Sequence, residues 1–299
     1  MPLFDPQTLT HFRRLAMAAG RGAVSPLLPP AGRSLPGGGT EVTGLRDYAA
    51  GDDFRYIDWK LCARRDEILS KCFAGQEDRR LYVLVDCSRS MAVGEPAKFA
   101  VARRIAGLLG YVSLLRGDSV VGSGFSRRIV ADLVPLRGTS YVLRWLSFWE
   151  LLTLDAAPTD LAAAAQAYVR RRQRPGPIVV LSDFYDRQGY GRGLEILRNS
   201  GYEPRVVQVI APAEAAAPPA GEIELDDMES ANSVAFTLTE KMRREYRAAY
   251  RRFQQSLPRW CNQRGLPCLQ ISSATDWAEI GRRIMSGKPH RVAPVGSVA

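Results

Sequence analysis

Two hydrophobic rhythms run through the chain. Unbroken apolar runs of strand length end in an acid at two places, 81–85 before Asp86 and 177–181 before Ser182-Asp183. Runs of this kind suit strands buried on both faces, as in a parallel sheet covered by helices. Between them the period becomes helical: Val101, Ile105, Leu108, Leu109, Val112 and Leu115 mark one face of a helix over 98–116, stopped by Gly117-Asp118. Short strands are predicted over 119–125 and 129–134, and an apolar helix over 139–152. A loop with Asp155 and Pro158 then leads to Thr159-Asp160, which opens a helix through Val169. Gly189 to Gly193 reads as a loop before a further helix, 205–210 as a strand and 211–221, rich in Ala and Pro, as a linker. The acidic stretch 222–229 and the segment 233–238 resemble a hairpin. From 239 to 264 a long helix carries Met242, Tyr246, Ala249, Tyr250, Phe253, Leu257 and Trp260 on one face, and five arginines (Arg243, Arg244, Arg247, Arg251, Arg252) on the other. Pro258 is expected to kink or end it. A strand over 268–271 and a helix over 276–285 close the pattern, with a frayed tail beyond. Strand and helix alternate from 81 to 285, the signature of a parallel sheet wrapped by helices.

The first eighty residues follow another logic. Asp5-Pro6 caps a helix with Leu9, Phe12, Leu15 and Met17 on its apolar face. Residues 20–44 shift to Pro, Gly and Ser and predict irregular chain. Next come a Gly51-Asp52-Asp53 turn and closely alternating charges interleaved with aromatic and aliphatic residues. This predicts ion pairs partly buried against a sheet, with Ile57 and Trp59 as anchors; a recognition surface is the other reading. Residues 68–73 are expected to form an edge strand running into the 81–85 strand.

Composition narrows the class. A hydrophobic content of 46% supports a full core and a charged content of 24% is ordinary. No apolar run approaches the roughly 18 residues of a membrane helix, and the N-terminus lacks a signal-peptide pattern, so a cytoplasmic protein is expected. Five cysteines without a C-x-x-C argue against zinc and against a disulfide framework. The net charge of +10, from 41 basic and 31 acidic residues, suits nucleic acid, an acidic surface or an acidic protein. The run Arg170-Arg171-Arg172 also has a structural reason, since cations favour the last turn of a helix.

Candidate chemistry centres on Asp86-x-Ser88-x-Ser90. At the carboxyl end of a parallel strand, where open α/β sheets place ligands, one carboxylate and two hydroxyls form a hard-oxygen set for Mg²⁺ or Mn²⁺. A strand-to-helix turn with a capping serine is the competing reading. Enzyme classes fit poorly, so a non-enzymatic protein is expected. An aspartyl phosphatase needs a second acid where Ser88 stands. A serine triad needs a base, and His11 and His290 are the two histidines, both terminal. No phosphate-binding G-x-x-x-x-G-K-[ST] loop is present.

These residues resemble two known patterns. Asp86-x-Ser88-x-Ser90, Thr159 opening a later helix and Asp183 ending a later strand resemble the metal-ion-dependent adhesion site of von Willebrand factor A domains. The resemblance implies a metal set of Asp86, Ser88, Ser90, Thr159 and Asp183. Arg89 departs from that pattern by placing a cation between the serines, where an inward guanidinium would weaken Mg²⁺ binding. The longer motif Arg46-Asp-Tyr48-x-x-Gly51-Asp52-Asp53-x-Arg55-x-Ile57-Asp58-Trp59-Lys60-x-x-Ala63-Arg64 is similar to the bacterial family catalogued as Domain of Unknown Function 58. That family implies an α/β, von Willebrand factor A-like (Rossmann-like) domain over 79–285, with a β-hairpin insertion at 222–238. An N-terminal family-specific extension would cover 1–78 and a flexible tail 286–299. It also implies an adaptor role beside a MoxR-type AAA+ ATPase or its client, through an Asp or Glu of the partner. Nucleic-acid or acidic-partner binding through the basic surface and a Mg²⁺-dependent hydrolase are the alternatives.

Overall fold

The computed structural model describes residues 3–19, 25–29, 42–48, 54–65, 67–73, 79–171, 173–216, 218–219, 221–226 and 233–286. Packing divides the chain into two units, one of residues 1–29 with 80–299 and one of 30–79.

The first helix, α1 (Pro6–Ala19), begins at Asp5, whose Oδ1 accepts from the Thr8 amide at 2.7 Å. Phe12 is fully buried and Leu15 nearly so, while Met17 lies exposed, off the expected face. This apolar stripe packs within the larger unit, so α1 does not belong to a 1–78 extension. The smaller unit pairs β1 (Val42–Asp47) antiparallel with β2 (Leu69–Phe73), and α2 (Trp59–Arg65) lies between them in sequence. Asp58 caps α2 by accepting from the Leu61 amide at 3.2 Å and pairs with Lys71 at 3.4 Å. Two expectations fail here. The 68–73 strand pairs with β1 and does not join the main sheet. Ile57 is buried, but Trp59 is 65% exposed and anchors nothing. The Gly51-Asp52-Asp53 turn lies outside the described residues.

The larger unit continues through β3 (Arg80–Asp86), α3 (Lys98–Leu115), β4 (Ser119–Phe125), β5 (Ile129–Arg137), α4 (Val142–Leu151) and α5 (Leu161–Val169). There follow β6 (Pro177–Ser182), α6 (Tyr190–Asn199), β7 (Glu203–Ile210), α7 (Pro212–Ala215), β8 (Gly221–Asp226), β9 (Ser233–Leu238), α8 (Glu240–Gln263), β10 (Cys268–Ser272) and α9 (Trp277–Ser286). Six strands form one sheet in the order β10-β7-β6-β3-β4-β5, parallel except for β5, which runs antiparallel to β4. Counting β3 as first, the order is 3-2-1-4-5-6, so the direction of winding switches between β3 and β6. This is the helix-flanked, mainly parallel α/β sheet expected, with the 222–238 hairpin as β8 paired with β9.

β3 shows why its sequence is continuously apolar. Leu81, Val83 and Val85 face a core shared with α1, α3, α4 and α9, while Tyr82 and Leu84 face one shared with α5, α6 and α8. In the first core the Phe12 ring meets Phe4, Tyr111 of α3 and Trp277 of α9 at centroid distances of 6.0, 5.6 and 5.9 Å.

Three local expectations change. Gly191 and Gly193 lie inside α6, and a Cβ on Gly193 would come 2.7 Å from the Leu161 backbone, so glycine permits the α5–α6 contact. The expected linker contains α7. Pro258 lies within α8 without ending it. Proline leaves the carbonyl four residues earlier without its helical donor. That carbonyl, of Gln254, instead accepts from Gln270 Nε2 of β10 at 2.6 Å. No helix among the described residues is long and apolar enough to cross a membrane.

Candidate functional site

The carboxyl ends of β3 and β6 meet where the winding switches, and each delivers an acid. Asp86 is fully buried, and every hydrogen bond it accepts comes from a neighbouring segment or its own loop. Its Oδ1 accepts from the Ser88 amide at 2.9 Å, and its Oδ2 from Ser182 Oγ at 2.6 Å. Thr159 Oγ1, just before α5, lies 3.0 Å from that same Oδ2 and 2.9 Å from Ser88 Oγ. Ser88 Oγ and Ser90 Oγ are 3.0 Å apart. At the start of the 3-10 turn Arg89–Ala92, Ser88 is buried, Arg89 exposed and Ser90 half-buried. Thr159 is buried, whereas Thr139 and Thr153 are exposed.

Asp183 follows β6 and is also fully buried. Its Oδ1 accepts from the Tyr185 amide at 3.0 Å, across Phe184, whose φ of 62° is a left-handed conformation. A bulky residue held there costs about 1–2 kcal/mol, and the turn is what aims the Asp183 carboxylate. Its Oδ2 accepts from Lys98 Nζ at 2.7 Å. The Lys98 ammonium is completely buried, also donates to Glu214 Oε1 of α7, and sits 4.9 Å from the centre of the Tyr185 ring. Glu214 Oε2 accepts from the Ala211 amide at 3.1 Å, which fixes α7 against the site.

Two acids thus share one ammonium, and the fully buried Asp86 feels the charge of one of them, Asp183. Asp86 responds with a pKa pushed up to about 6, through burial first and the Asp183 charge second, against the hydrogen bonds from Ser182 and Ser88. Burial also raises Glu214, opposed by Lys98. At the rim Asp155 is held low by its bond from Ser126 Oγ at 2.7 Å. Three hydroxyls and two carboxylates, all hard oxygens, with an excess of buried negative charge, suit Mg²⁺ or Mn²⁺ rather than a softer metal.

Of the expected site residues, Asp86, Ser88, Ser90 and Thr159 share one hydrogen-bonded cluster, and Asp183 stands near enough for its charge to act on Asp86. The sequence reading missed Ser182, Lys98, Tyr185 and Glu214. Ser182 carried a signal, standing one residue beyond the Val85–Leu181 pair on the neighbouring strand. Glu214 carried a weaker one, as the third residue of a helix opened by Pro212 inside an apparent linker. Lys98 looked like an ordinary solvated first residue of an amphipathic helix.

The sequence profile of a family described as protein of unknown function DUF58 matches residues 44–256. The uncharacterized protein Mb1516 of Mycobacterium bovis is 27% identical over 263 residues, covering 84% of this chain and 81% of that protein. Among solved structures, the conserved hypothetical protein BatB from Bacteroides thetaiotaomicron is 17% identical with a TM-score of 0.42, over 69% of this chain and 97% of that chain. An aerotolerance-related membrane protein from Bacteroides fragilis is 19% identical with a TM-score of 0.43, over 69% and 96%.

Proposed function

The chain belongs to the DUF58 family, and on that premise we propose that it is a non-enzymatic protein-interaction module with a divalent cation at the β3–β6 switch point. The proposed ligands of Mg²⁺ or Mn²⁺ are Asp86, Ser88, Ser90, Thr159 and Asp183, directly or through water. The observation that carries this reading is the meeting of the Ser88, Ser90 and Thr159 hydroxyls at the fully buried Asp86 carboxylate, with the Asp183 charge close by. Bound there, the cation supplies an open position for a hard oxygen, which an Asp or Glu of a partner fills.

The chain's own residues prepare that encounter. Ser182 and the Ser88 amide hold the Asp86 carboxylate in one orientation. The hydroxyls of Ser88, Ser90 and Thr159 add donors without adding negative charge, leaving the cation electrophilic towards an incoming carboxylate. Lys98 offsets part of the charge of Asp183 and Glu214, which limits repulsion of that carboxylate. The family resemblance nominates a MoxR-type AAA+ ATPase or its client as the partner, with this protein as an adaptor in assembly or maturation.

Mn²⁺ titration by calorimetry, with the wild type and Asp86→Asn, tests the site. The variant should lose at least the roughly 10–100-fold affinity typical when an outer-shell partner is removed. Its melting temperature in EDTA should match or exceed that of the wild type, because a buried charge beside Asp183 has gone. A pull-down of the ATPase should respond to EDTA in the same way. Equal Mn²⁺ heats for both proteins would sink the metal reading. A second reading would then stand on Lys98, whose ammonium already bridges Asp183 and Glu214 and would be the site's built-in cation.

A further inference from the structure

Beside the oxygen cluster the surface opens into a groove of about 610 Å³, walled by Ser90, Tyr185, Glu214, Tyr246, Tyr250 and Phe253. Its aromatic rings are held in place. Tyr185 stacks on Phe253 at 4.6 Å with an interplanar angle of 12°, and Tyr246 lies parallel to Tyr250 at 6.3 Å and 15°. Tyr246 OH donates to the Glu214 carbonyl at 2.6 Å and Tyr250 OH to the Ala211 carbonyl at 3.4 Å, so α7 props both rings from behind. Tyr246 remains 45% exposed, and Met242, one turn further out on α8, 39% exposed. From Met242 to Phe253 the helix rises about 16 Å, room for about five extended residues. Exposed Arg247 stands to one side of these rings on α8 and exposed Arg187 lines the groove itself, while Arg244 and Arg251 lie on the far face of the helix.

We infer that this groove binds an extended acidic segment of a protein partner, with an apolar or aromatic side chain seated on Tyr246 and Tyr250 and a carboxylate at the Ser90 end. The inference deepens the proposed function and rests on it for the carboxylate contact; the choice of an acidic chain comes from Arg187 in the groove wall and Arg247 beside the rings, and of an apolar anchor from the exposed rings. Of the two negative charges in the walls, Glu214 is paired with Lys98, which it shares with Asp183, and Asp186 accepts from the Leu161 and Gln188 amides at 2.9 and 2.8 Å.

The test is fluorescence anisotropy on the full chain with Mn²⁺. The probes are labelled peptides alternating Glu and Asp with Leu and Phe, a matched set with Ser in place of Leu and Phe, and a single-stranded oligonucleotide. The acidic–apolar peptides should bind, the Ser set at least about tenfold more weakly, and Tyr246→Ser should cost a similar factor. Ala249→Gln, which adds bulk to the groove without removing a contact, should weaken binding too, and Tyr246→Phe should not. Arg187→Glu with Arg247→Glu should reduce both affinity and its salt dependence. Loss with EDTA but not with Tyr246→Ser or Ala249→Gln overturns the groove and keeps the metal reading; the reverse keeps the groove and removes the metal. Oligonucleotide binding without peptide binding, or no peptide binding at all, overturns the inference.

Discussion

Lys98 is the residue on which the site's charge balance turns. Its ammonium lies out of water between Asp183 and Glu214, both of which are largely or wholly buried. Such a group is costly to desolvate, and removing it leaves its partners uncompensated, a loss of about 3–5 kcal/mol when a buried pair is broken. Lys98→Met is therefore expected to destabilise the fold strongly in urea melts, and adding Glu214→Gln should restore part of the loss. If Lys98→Met costs nothing, the buried triad is not where the structure places it. Asp86 and Asp183 could be read from sequence because each follows an apolar run. The lysine could not, because its burial depends on α7, a segment 116 residues later in the chain.

At the scale of elements, α8 is tied to the site by side-chain amides. Pro258 frees the Gln254 carbonyl, Gln270 Nε2 takes it at 2.6 Å and also donates to Gln208 Oε1 at 2.8 Å, and Gln208 Nε2 donates to the Asp183 carbonyl at 3.2 Å. A proline that reads as a helix breaker thus provides the acceptor that links α8 through β10 and β7 to the end of β6. Gln270→Leu would leave the Gln254 carbonyl and the Gln208 amide oxygen without these donors. A loss of about 1–3 kcal/mol is expected for a buried polar group left unmade. Hydrogen exchange should localise the loosening to α8 and β10; unchanged protection there would show that the amide chain is not what fastens the helix. The periodicity of α8 was legible, since its apolar face recurs at helical spacing. Its continuity through Pro258 was not, because the compensating donor comes from another strand.

Across the larger unit, the two ends of the described chain share one core. Phe12 of α1 sits among Phe4, Tyr111 and Trp277 with no solvent exposure, so α1 completes the face that α3 and α9 present. Phe12→Ala should cost about 3–5 kcal/mol in urea unfolding, as for other buried aromatic truncations. A loss well below about 1 kcal/mol would mean that α1 is peripheral to this unit. The sequence by itself determined the strand and helix alternation, the two strands ending in Asp86 and Asp183, and the Asp-x-Ser-x-Ser loop. These follow from local periodicity and from chain that is buried on both faces. Tertiary structure alone decided that α1 joins the larger unit, that β2 pairs with β1, that Trp59 is exposed, and that Lys98 and Glu214 enter the acid cluster. Each of those depends on contacts between segments far apart in the chain, where neither hydrophobic period nor residue spacing carries a signal.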